Sequence, residues 1–306
     1  GRWCSWGSRS SRSSPRRWPG ASGSFWSRTP TPRPWRRGGR CSSGSIRSRT
    51  TTWPRSRRSG SWRASPWAST TSTSPPAGAA GSPSQNAGAA FAVDTADYGV
   101  GLVVAVLRRL AAAEAHVRAG RWAADGDYPL TTKVSGKRVG ILGLGNIGSR
   151  IARRLAAFGC AVSYNSRSPK PSARYEFVPT VRELAAGSDV LVLSCALTEE
   201  TKHVVNREVM EALGKDGVLV NVGRGGLVDE PELVRCLQEG VVGGAGLDVF
   251  ESEPNVPPEL FSMDNVVLSA HRAVATPESI RGTIELVAGN LDAFFAGKPL
   301  LSPVQL

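Results

Sequence analysis

The chain of 306 residues has few of the side chains that bind metals or form disulfide frameworks. It contains five cysteines, an odd number, with no CxxC pair and no metal-ligand spacing, and only three histidines. No apolar run reaches the about 18 residues that a membrane helix requires. These absences argue against a disulfide-stapled domain, a metal site and a membrane span, and they favour a reducing cytoplasmic compartment.

The first 84 residues lack most of the side chains from which a protein core is built. They contain no Leu, Val, Met, Tyr, His, Asn, Lys, Asp or Glu, yet they hold eight of the nine Trp, 22 Ser and 16 Arg. They show neither helical periodicity nor strand alternation, so they bury too little apolar surface to offset the entropy of ordering. We expect residues 1–84 to be disordered.

The basic character of the chain belongs to this segment alone. The whole chain has a net charge of +13, but 16 of its 38 Lys and Arg precede residue 85, which leaves 22 against 25 acids, a net charge of −3. The charge therefore does not predict a nucleic-acid partner for the remainder. An organelle transit peptide can also be Arg/Ser-rich and free of acids, but eight Trp argue against one.

From about residue 86 the chain has the pattern of an α/β domain. A long helix is predicted from Val93 to Gly120, capped by Asp94 or Thr95, and a connecting arm follows it. Strands are predicted at 139–142, 160–164, 190–193 and 218–222 and within 243–250 and 264–271. Helices are predicted at 149–158, before each of the strands at 190–193 and 218–222, and at 229–240 and 276–297. Strands that alternate with helices imply right-handed crossovers and a Rossmann-type doubly wound parallel sheet.

A glycine motif, Gly143-Leu144-Gly145-Asn146-Ile147-Gly148, joins the first strand to the helix after it. This context is what a dinucleotide-binding fingerprint requires, whereas the same letters elsewhere would be weak evidence. Gly143 would allow the tight turn, Gly145 the approach of a pyrophosphate, and Gly148 close packing of helix and strand. The phosphates would lie at the helix N-terminus, where free N–H groups favour an anion.

The end of the second strand indicates which dinucleotide binds. An acid there would bind the ribose hydroxyls of NAD, but Asn165 stands 17 residues after Gly148, where the acid is expected. Arg167 can pair with a 2′-phosphate, and Ser166 and Ser168 can donate hydrogen bonds to it. We therefore predict NADP(H) as the cofactor, with NAD(H) as the weaker alternative.

Three further residues suit the reduction of a 2-oxo acid. His271 follows a buried run at a strand end, Arg224 lies in NVGRGG after another strand, and Glu253 lies in LDVFESEP. His271 would protonate the carbonyl oxygen, Glu253 would hold the imidazole, and Arg224 would bind the substrate carboxylate. His116 and His203 are predicted to be surface or packing residues. Spacing alone does not bring the three candidate residues together.

Four ordered motifs, VGILGLGNIGSRIA, VLVNVGRGGLVDEPEL, GGAGLDVFESEP and NVVLSAHRAVATPES, resemble the D-isomer-specific 2-hydroxyacid dehydrogenases, most closely the plant glyoxylate/hydroxypyruvate and hydroxyphenylpyruvate reductases. The resemblance covers about residues 86–306 and implies catalytic roles for Arg224, Glu253 and His271. It also implies a homodimer and places Asp248 near the nicotinamide carboxamide. The other residues predicted to contact the cofactor are Cys195, Val222 and Gly223. Arg272-Ala273 departs from the Gly-Ser that follows the histidine in many relatives.

The resemblance also predicts a substrate domain before residue 86, ending in a loop like Gly-Val-Asp-His-Val-Asp-Leu, and no such loop is present. Codons exist for Trp67 to Ser74 that encode this loop when they are read one base earlier. We interpret residues 1–84 as a translated wrong frame, and a genuine disordered basic tail is the alternative. The chain starts at Gly1 rather than Met, which is consistent with a fragment.

The expected organisation is therefore a disordered segment at 1–84, a cofactor-binding domain at 85–274, and a helix at 275–306 that returns to the substrate domain. The predicted function is NADPH-dependent reduction of small 2-oxo acids such as glyoxylate, hydroxypyruvate or hydroxyphenylpyruvate, impaired in this chain if its substrate domain is missing. Two alternatives stay open. One is a non-catalytic NAD(P)-binding regulator, and the other is an Arg-rich RNA-binding protein that carries a dehydrogenase module.

Overall fold

The computed structural model describes residues 90–303, and the predicted segment 1–84 lies outside them. A sheet of seven parallel strands forms the centre of this part of the chain, in the order β3-β2-β1-β4-β5-β6-β7. The strands are β1 (Arg138–Leu142), β2 (Ala161–Asn165), β3 (Glu176–Phe177), β4 (Val190–Leu193), β5 (Val218–Asn221), β6 (Gly244–Leu247) and β7 (Val266–Leu268). The order reverses between β1 and β4, so the predicted doubly wound fold is confirmed.

Helices cover the sheet and complete the crossovers between parallel strands. They are α1 (Ala92–Leu107), α2 (Leu110–Arg118), α3 (Arg121–Asp125), α4 (Asn146–Ala157), α5 (Val181–Ala186), α6 (Arg207–Leu213), α7 (Glu230–Gln238) and α8 (Pro277–Phe295). Among the described residues, no helix combines the length and the apolarity that a membrane span requires.

Buried side chains lie on both faces of the sheet and explain why its strands read as unbroken apolar runs. Leu191 and Leu193 pack into one cluster with α5, α6 and α7, while Val190 and Val192 pack into the other with α1 and α4. All four are fully buried. Burying each such side chain contributes roughly 1.5–3 kcal/mol relative to leaving it in water, so the two clusters hold the strand ends in place.

The prediction of a single helix from Val93 to Gly120 was wrong, because this range is divided between α1 and α2, and α3 follows it. Arg109 adopts a left-handed backbone (φ 49°), and its guanidinium donates to the Gly243 carbonyl oxygen at 3.0 Å. The arm also contributes, because the Thr132 N–H bonds to the Leu107 carbonyl oxygen at the end of α1. These tertiary contacts outweigh the local helical preference, which carries only tenths of a kcal/mol per residue.

The predicted cap of this helix was also wrong. The helix begins after Phe91 with no side-chain cap, and the Thr95 hydroxyl bonds back to the Phe91 carbonyl oxygen. Asp94 lies in the first turn and accepts hydrogen bonds from the hydroxyls of Thr276 and Ser279. Asp94 therefore joins the start of α1 to the start of α8 rather than capping its own helix.

Two other boundaries differ from those predicted. The helix expected at Ser149 begins at Asn146, with Gly145 in extended conformation at its N-cap, so it starts inside the glycine motif. The strand β3 was not predicted, because its two residues are too few to show alternation. It pairs with β2 through Ser163–Glu176 and Tyr164–Phe177.

Candidate active site

The predicted cofactor and catalytic residues gather along the carboxyl edge of the sheet. Each of the loops after β1, β2, β4, β5, β6 and β7 begins at this edge, because all the strands run in one direction. Ligands of open α/β sheets bind outside the carboxyl ends of the strands where the strand order reverses. The loop after β1, which carries the glycine motif, lies at that reversal.

The three glycines of the motif differ in what surrounds them. A Cβ on Gly143 (φ 94°) would stand 2.6 Å from the backbone of Cys195, and a Cβ on Gly148 would stand 2.1 Å from the Gly143 carbonyl oxygen. A Cβ on Gly145 would meet nothing within 4 Å. Two glycines therefore hold the turn and helix together, and the third leaves open space beside the N-terminus of α4.

The start of α4 fits a dinucleotide pyrophosphate. No side chain caps this helix, so the first N–H groups of its 12 residues are not satisfied by a cap. Such groups, together with the helix dipole, favour a phosphate. The open space at Gly145 lies at the same place. The residues present therefore fit a nicotinamide dinucleotide, although the individual contacts remain predictions.

The turn after β2 holds the residues predicted to choose between NADP and NAD. The side-chain amide nitrogen of Asn165 donates hydrogen bonds to the carbonyl oxygens of Val178 at 2.8 Å and Pro179 at 2.9 Å. The Ser166 hydroxyl donates to the Ser168 carbonyl oxygen at 2.7 Å. Arg167 and Ser168 are exposed. Asn165 thus shapes the turn, and Arg167 is the residue of this turn that offers a positive charge to a ligand.

Arg167 has an acidic neighbour in the loop after β4. The pKa of Glu200 is lowered chiefly by a hydrogen bond from the Thr198 hydroxyl and, to a smaller extent, by the positive charge of Arg167. Both side chains are exposed, so solvent and salt screen this attraction. A phosphate at Arg167 would compete with Glu200 for the same guanidinium.

Cys195, Val222 and Gly223 lie where β4 and β5 end. Val222 and Gly223 are buried, and a Cβ on Gly223 would stand 3.2 Å from the Cys195 carbonyl oxygen. Burial raises the pKa of the Cys195 thiol to about 11, so the thiol stays protonated at neutral pH. Cys195 lies against Gly143 of the glycine motif, and Gly223 lies close to Cys195. The predicted contact of these residues with the cofactor stays a prediction.

The structure brings Glu253 and His271 together. The Nδ1 atom of His271 lies 2.8 Å from Oε2 of Glu253, and Oε1 of Glu253 accepts the Phe250 N–H at 3.1 Å. His271 has a left-handed backbone (φ 51°), and its N–H bonds to the Asp248 carbonyl oxygen at 2.8 Å. The side chains of both partners are about one-third exposed, so the pair is open to a ligand.

Arg224 lies on the loop after β5, close enough for the charge of Glu253 to affect its guanidinium. Burial lowers the pKa of the Arg224 guanidinium and the negative charge of Glu253 opposes that shift. The guanidinium nevertheless stays charged at neutral pH, because its ordinary pKa lies far above neutral. Its Nη1 atom donates to the Gly223 carbonyl oxygen at 2.7 Å. The sequence-predicted trio is therefore assembled from three loops.

Asp248 contacts the loop that carries His271. It is buried, and its Oδ1 accepts from the Ser269 hydroxyl at 2.6 Å and from the Arg272 N–H at 2.7 Å. Its Oδ2 accepts from the Ala273 N–H at 3.0 Å. The described contacts of Asp248 thus shape the backbone around His271, and its predicted position beside the nicotinamide stays untested.

Sequence reasoning missed the residues that place Arg224. Asn221 is buried at the end of β5, where its amide nitrogen donates to the Arg224 carbonyl oxygen at 2.9 Å and its amide oxygen accepts the Gly223 N–H at 3.0 Å. A Cβ on Gly225 would stand 1.9 Å from the carbonyl group of Phe250. A polar residue ending an otherwise apolar strand, followed by the glycines of GRGG, was the available signal.

The other two histidines differ in their surroundings. His116 is buried, with Nε2 3.0 Å from the Gly126 carbonyl oxygen, as expected of a packing residue. His203 has Nε2 2.7 Å from Oε1 of Glu251, two residues before Glu253. His203 therefore lies nearer to the candidate site than its sequence context indicated.

Comparisons with known proteins agree on one family. A sequence model of the NAD-binding domain of D-isomer specific 2-hydroxyacid dehydrogenases matches residues 100–273. The chain is 62% identical over 221 residues to a glyoxylate/hydroxypyruvate reductase of Arabidopsis thaliana, covering 72% of this chain and 68% of that protein. It is 56% identical over 211 residues to the hydroxyphenylpyruvate reductase of Plectranthus scutellarioides, covering 69% of this chain and 67% of that protein.

A solved structure shows the same fold. It is an NADPH-dependent glyoxylate/hydroxypyruvate reductase of Sinorhizobium meliloti in complex with NADP and malonate, 43% identical, with a TM-score of 0.72 over 74% of this chain and 72% of that one. The family model covers more than half of the chain, and its match includes the glycine motif, Arg224, Glu253 and His271. The chain therefore belongs to the D-isomer specific 2-hydroxyacid dehydrogenases and is an oxidoreductase with a nicotinamide-cofactor domain.

Proposed function

We propose that this protein reduces small 2-oxo acids, such as glyoxylate, hydroxypyruvate and hydroxyphenylpyruvate, to D-2-hydroxy acids with NADPH. The contact between His271 and Glu253 carries the proposal, because it places an oriented imidazole at the sheet edge that also holds the glycine motif. The names of the Arabidopsis and Plectranthus relatives support these substrates. The NADPH-dependent Sinorhizobium reductase supports the choice of cofactor.

His271 serves as the proton donor in this proposal. The carboxylate of Glu253 can only accept a hydrogen bond when it is ionised, so the Nδ1–H of His271 donates to it. This contact orients the imidazole ring. The other ring nitrogen, Nε2, then protonates the carbonyl oxygen of the substrate as the carbonyl carbon is reduced.

Arg224 binds the carboxylate of the 2-oxo acid. A guanidinium can donate two parallel hydrogen bonds to a carboxylate, which fixes the orientation of the substrate as well as its position. The half-buried position of Arg224 strengthens this attraction, because less water screens it. Its positive charge also stabilises the negative charge that develops on the carbonyl oxygen.

A nicotinamide cofactor, when bound, supplies the hydride for the carbonyl carbon. Gly145 and the first N–H groups of α4 would hold the pyrophosphate, and Arg167 with Ser166 and Ser168 would hold a 2′-phosphate. The exposed guanidinium of Arg167 and the absence of an acid at Asn165 support NADPH over NADH.

We also propose a homodimer formed through the helices and arm that precede β1. Five large apolar side chains of this region are exposed, including Leu130, which is fully exposed, and Trp122, which is 60% exposed; the others are Val93, Leu110 and Val117. Contiguous exposed apolar surface marks association sites, and we propose that these side chains contribute to one. Light scattering on the purified protein measures the mass of the assembly. Leu130→Asp should lower that mass if the helices and arm before β1 form the dimer contact.

Turnover of the full chain tests the proposed chemistry. NADPH oxidation would be followed at 340 nm with glyoxylate, hydroxypyruvate and hydroxyphenylpyruvate, and His271→Gln should lower kcat by about 10²–10⁴-fold. His116→Gln is the matched control, because His116 packs against Gly126 away from the site. An unchanged rate in His271→Gln would refute the proposal. NADPH binding without turnover, both in this chain and in one with the substrate loop restored, would favour a non-catalytic cofactor-binding role.

A further inference from the structure

A buried carboxylate beside the active site is unused by the chemistry proposed above. Glu230 is the first residue of α7 and is only 9% exposed. Burial raises the pKa of its carboxyl, and a hydrogen bond from the Glu251 N–H opposes this shift. Burying an acid costs free energy unless hydrogen bonds compensate for the lost water. The hydrogen bond that Glu230 accepts from the Glu251 N–H therefore indicates a specific role for this carboxylate.

Glu230 holds the main chain of the segment that carries Glu253. Its Oε2 accepts the Glu251 N–H at 3.1 Å. Residues 249 and 250 of this segment are buried, whereas residues 251–255 are exposed. The hydrogen bond from Glu230 thus anchors the segment at the point where it leaves the core.

His203 holds the same residue from the other side. Its Nε2 lies 2.7 Å from Oε1 of Glu251, so Glu251 is bound through its side chain as well as its main chain. His203 is itself fixed, because its N–H donates to the Gly226 carbonyl oxygen at 2.8 Å from a left-handed backbone (φ 50°). Left-handed conformations cost free energy in residues other than glycine and persist where surrounding contacts enforce them.

The anchored segment leads directly to Glu253. The Phe250 N–H donates to Oε1 of Glu253, and Oε2 of Glu253 meets Nδ1 of His271. Since Glu251 lies two residues before Glu253, displacement of its backbone would turn the carboxylate away from the imidazole. Such a displacement of the Glu253 carboxylate is enough to break its hydrogen bond to His271, because a hydrogen bond weakens steeply as its angle departs from linearity.

We propose that Glu230 is a positioning residue, which sets the Glu253 carboxylate against His271 by accepting the Glu251 N–H. The inference rests on the proposed function, in which His271 and Glu253 form the proton-donating pair. Glu230 makes no hydrogen bond to either member of that pair in the described contacts, although the negative charge of Glu253 acts on its carboxyl. The positioning is therefore exerted through the backbone of residues 250–253.

The hydrogen bond at Nδ1 of His271 can be observed without substrate or cofactor. The chain has only three histidines, so selective ¹⁵N labelling of histidine yields few signals, and His271→Gln identifies the signal of His271. In the neutral imidazole, Glu253 enforces the tautomer with the proton on Nδ1. We expect Glu230→Met, which fills the same space without an acceptor, to shift His271 towards the tautomer with the proton on Nε2.

Three further variants decide between positioning and general stability. Glu230→Gln retains an oxygen for the Glu251 N–H and should keep the Nδ1–H tautomer. Glu230→Asp shortens the side chain by one methylene, which moves the oxygen away from the Glu251 N–H. His271 should then shift towards the Nε2–H tautomer, and this variant provides a second test if Glu230→Met does not fold. Glu232→Met is the matched control: Glu232 lies on the same helix but pairs with Arg207 and Arg235, so its removal should leave His271 unchanged.

An unaltered Nδ1–H tautomer of His271 in folded Glu230→Met or Glu230→Asp would overturn the proposal, and so would an equal loss of the tautomer in Glu232→Met. The signal of His116, which bonds to the Gly126 carbonyl oxygen, reports whether each variant is folded. Because the readout needs no turnover, failure of this inference is distinguishable from failure of the proposed reductase activity, which the NADPH assay measures.

Discussion

Gly225 lies against Phe250 so closely that a Cβ on the glycine would stand 1.9 Å from the carbonyl carbon and oxygen of Phe250. This contact joins the loop of Arg224 to the loop of Glu253. The second glycine of GRGG is therefore required by the approach of two backbones, since the neighbouring main chain has no flexible side chain that could move aside. Gly225 is therefore one of the positions that hold the cationic loop against the acidic loop.

The substitution Gly225→Ala should destabilise the protein and separate the two loops. We expect a loss of more than about 2 kcal/mol in the free energy of unfolding, since overpacking against the backbone allows little relaxation. Gly101→Ala is the matched control, because Gly101 lies in α1 with nothing within 4 Å of its Cβ position. That variant should gain up to about 1 kcal/mol from helix propensity. Urea unfolding measures both, and equal stabilities would contradict the prediction.

Gly145→Ala and Gly148→Ala should separate cofactor binding from folding. A methyl on Gly148 would meet the Gly143 carbonyl oxygen at 2.1 Å, so this variant should lose both thermal stability and NADPH affinity. A methyl on Gly145 meets no protein atom within 4 Å, so this variant should keep its Tm and lose affinity alone. NADPH fluorescence titrations and thermal unfolding provide the two readouts. Full affinity in Gly145→Ala would place the pyrophosphate elsewhere.

Arg167→Ala should weaken NADPH binding by about tenfold or more and leave NADH binding unchanged, because a charge-assisted hydrogen bond contributes about 1.5–3 kcal/mol. Arg153→Ala, which removes an exposed arginine of α4, controls for the general loss of positive charge. Dissociation constants for both cofactors at two salt concentrations measure the effect. An equal loss for NADH and NADPH would show that Arg167 does not recognise the 2′-phosphate.

Asp189→Asn should destabilise the protein at neutral pH but not in acid. Arg138 donates its Nη2 and its main-chain N–H to the Asp189 carboxylate at 2.7 and 2.8 Å, which holds the pKa of Asp189 below its usual value. An acid with a lowered folded pKa stabilises above its unfolded pKa of about 3.9, and this contribution is lost as the pH falls through the folded pKa.

We expect the Asp189 contribution to be about 1 kcal/mol or less at pH 7, since the Arg138 side chain is 55% exposed and solvent screens the pair. Urea unfolding between pH 2 and pH 7 measures it. The exposed Asp216→Asn serves as the control, and the difference between the two variants should disappear as the pH falls through the folded pKa of Asp189. A constant difference across this range would rule out the ion pair as its source.

Sequencing the transcript across the codons for residues 1–90 tests the wrong-frame interpretation. We expect one inserted or deleted base whose correction restores Gly-Val-Asp-His-Val-Asp-Leu from the codons of Trp67–Ser74. A restored chain should turn over 2-oxo acids faster than the present one, because backbone amides of that loop would hold the substrate carboxylate. An intact frame as given would establish the Arg-rich segment as genuine.

Much of the fold could be predicted from the sequence, and the reasons are local. Val190–Leu193 was predicted with the bounds that the structure has, because a strand buried on both faces reads as an unbroken apolar run. The helix predicted at 276–297 contains α8, which has Pro277 in its first turn and is capped by Thr276 through the Ser279 N–H. The break at Arg109 could not be predicted, since its cause is a hydrogen bond to Gly243, 134 residues away.

The sequence by itself determined the doubly wound sheet, the glycine motif and the identities of Arg224, Glu253 and His271, because residue type, alternation and turn chemistry act over short distances. Only the tertiary structure decided that Glu253 reaches His271 at 2.8 Å, that Gly225 joins two loops, and that Glu230 anchors Glu251. Those contacts form because the loops that follow parallel strands all begin at one edge of the sheet. The spacing of the residues along the chain does not predict which of these loops lie next to each other.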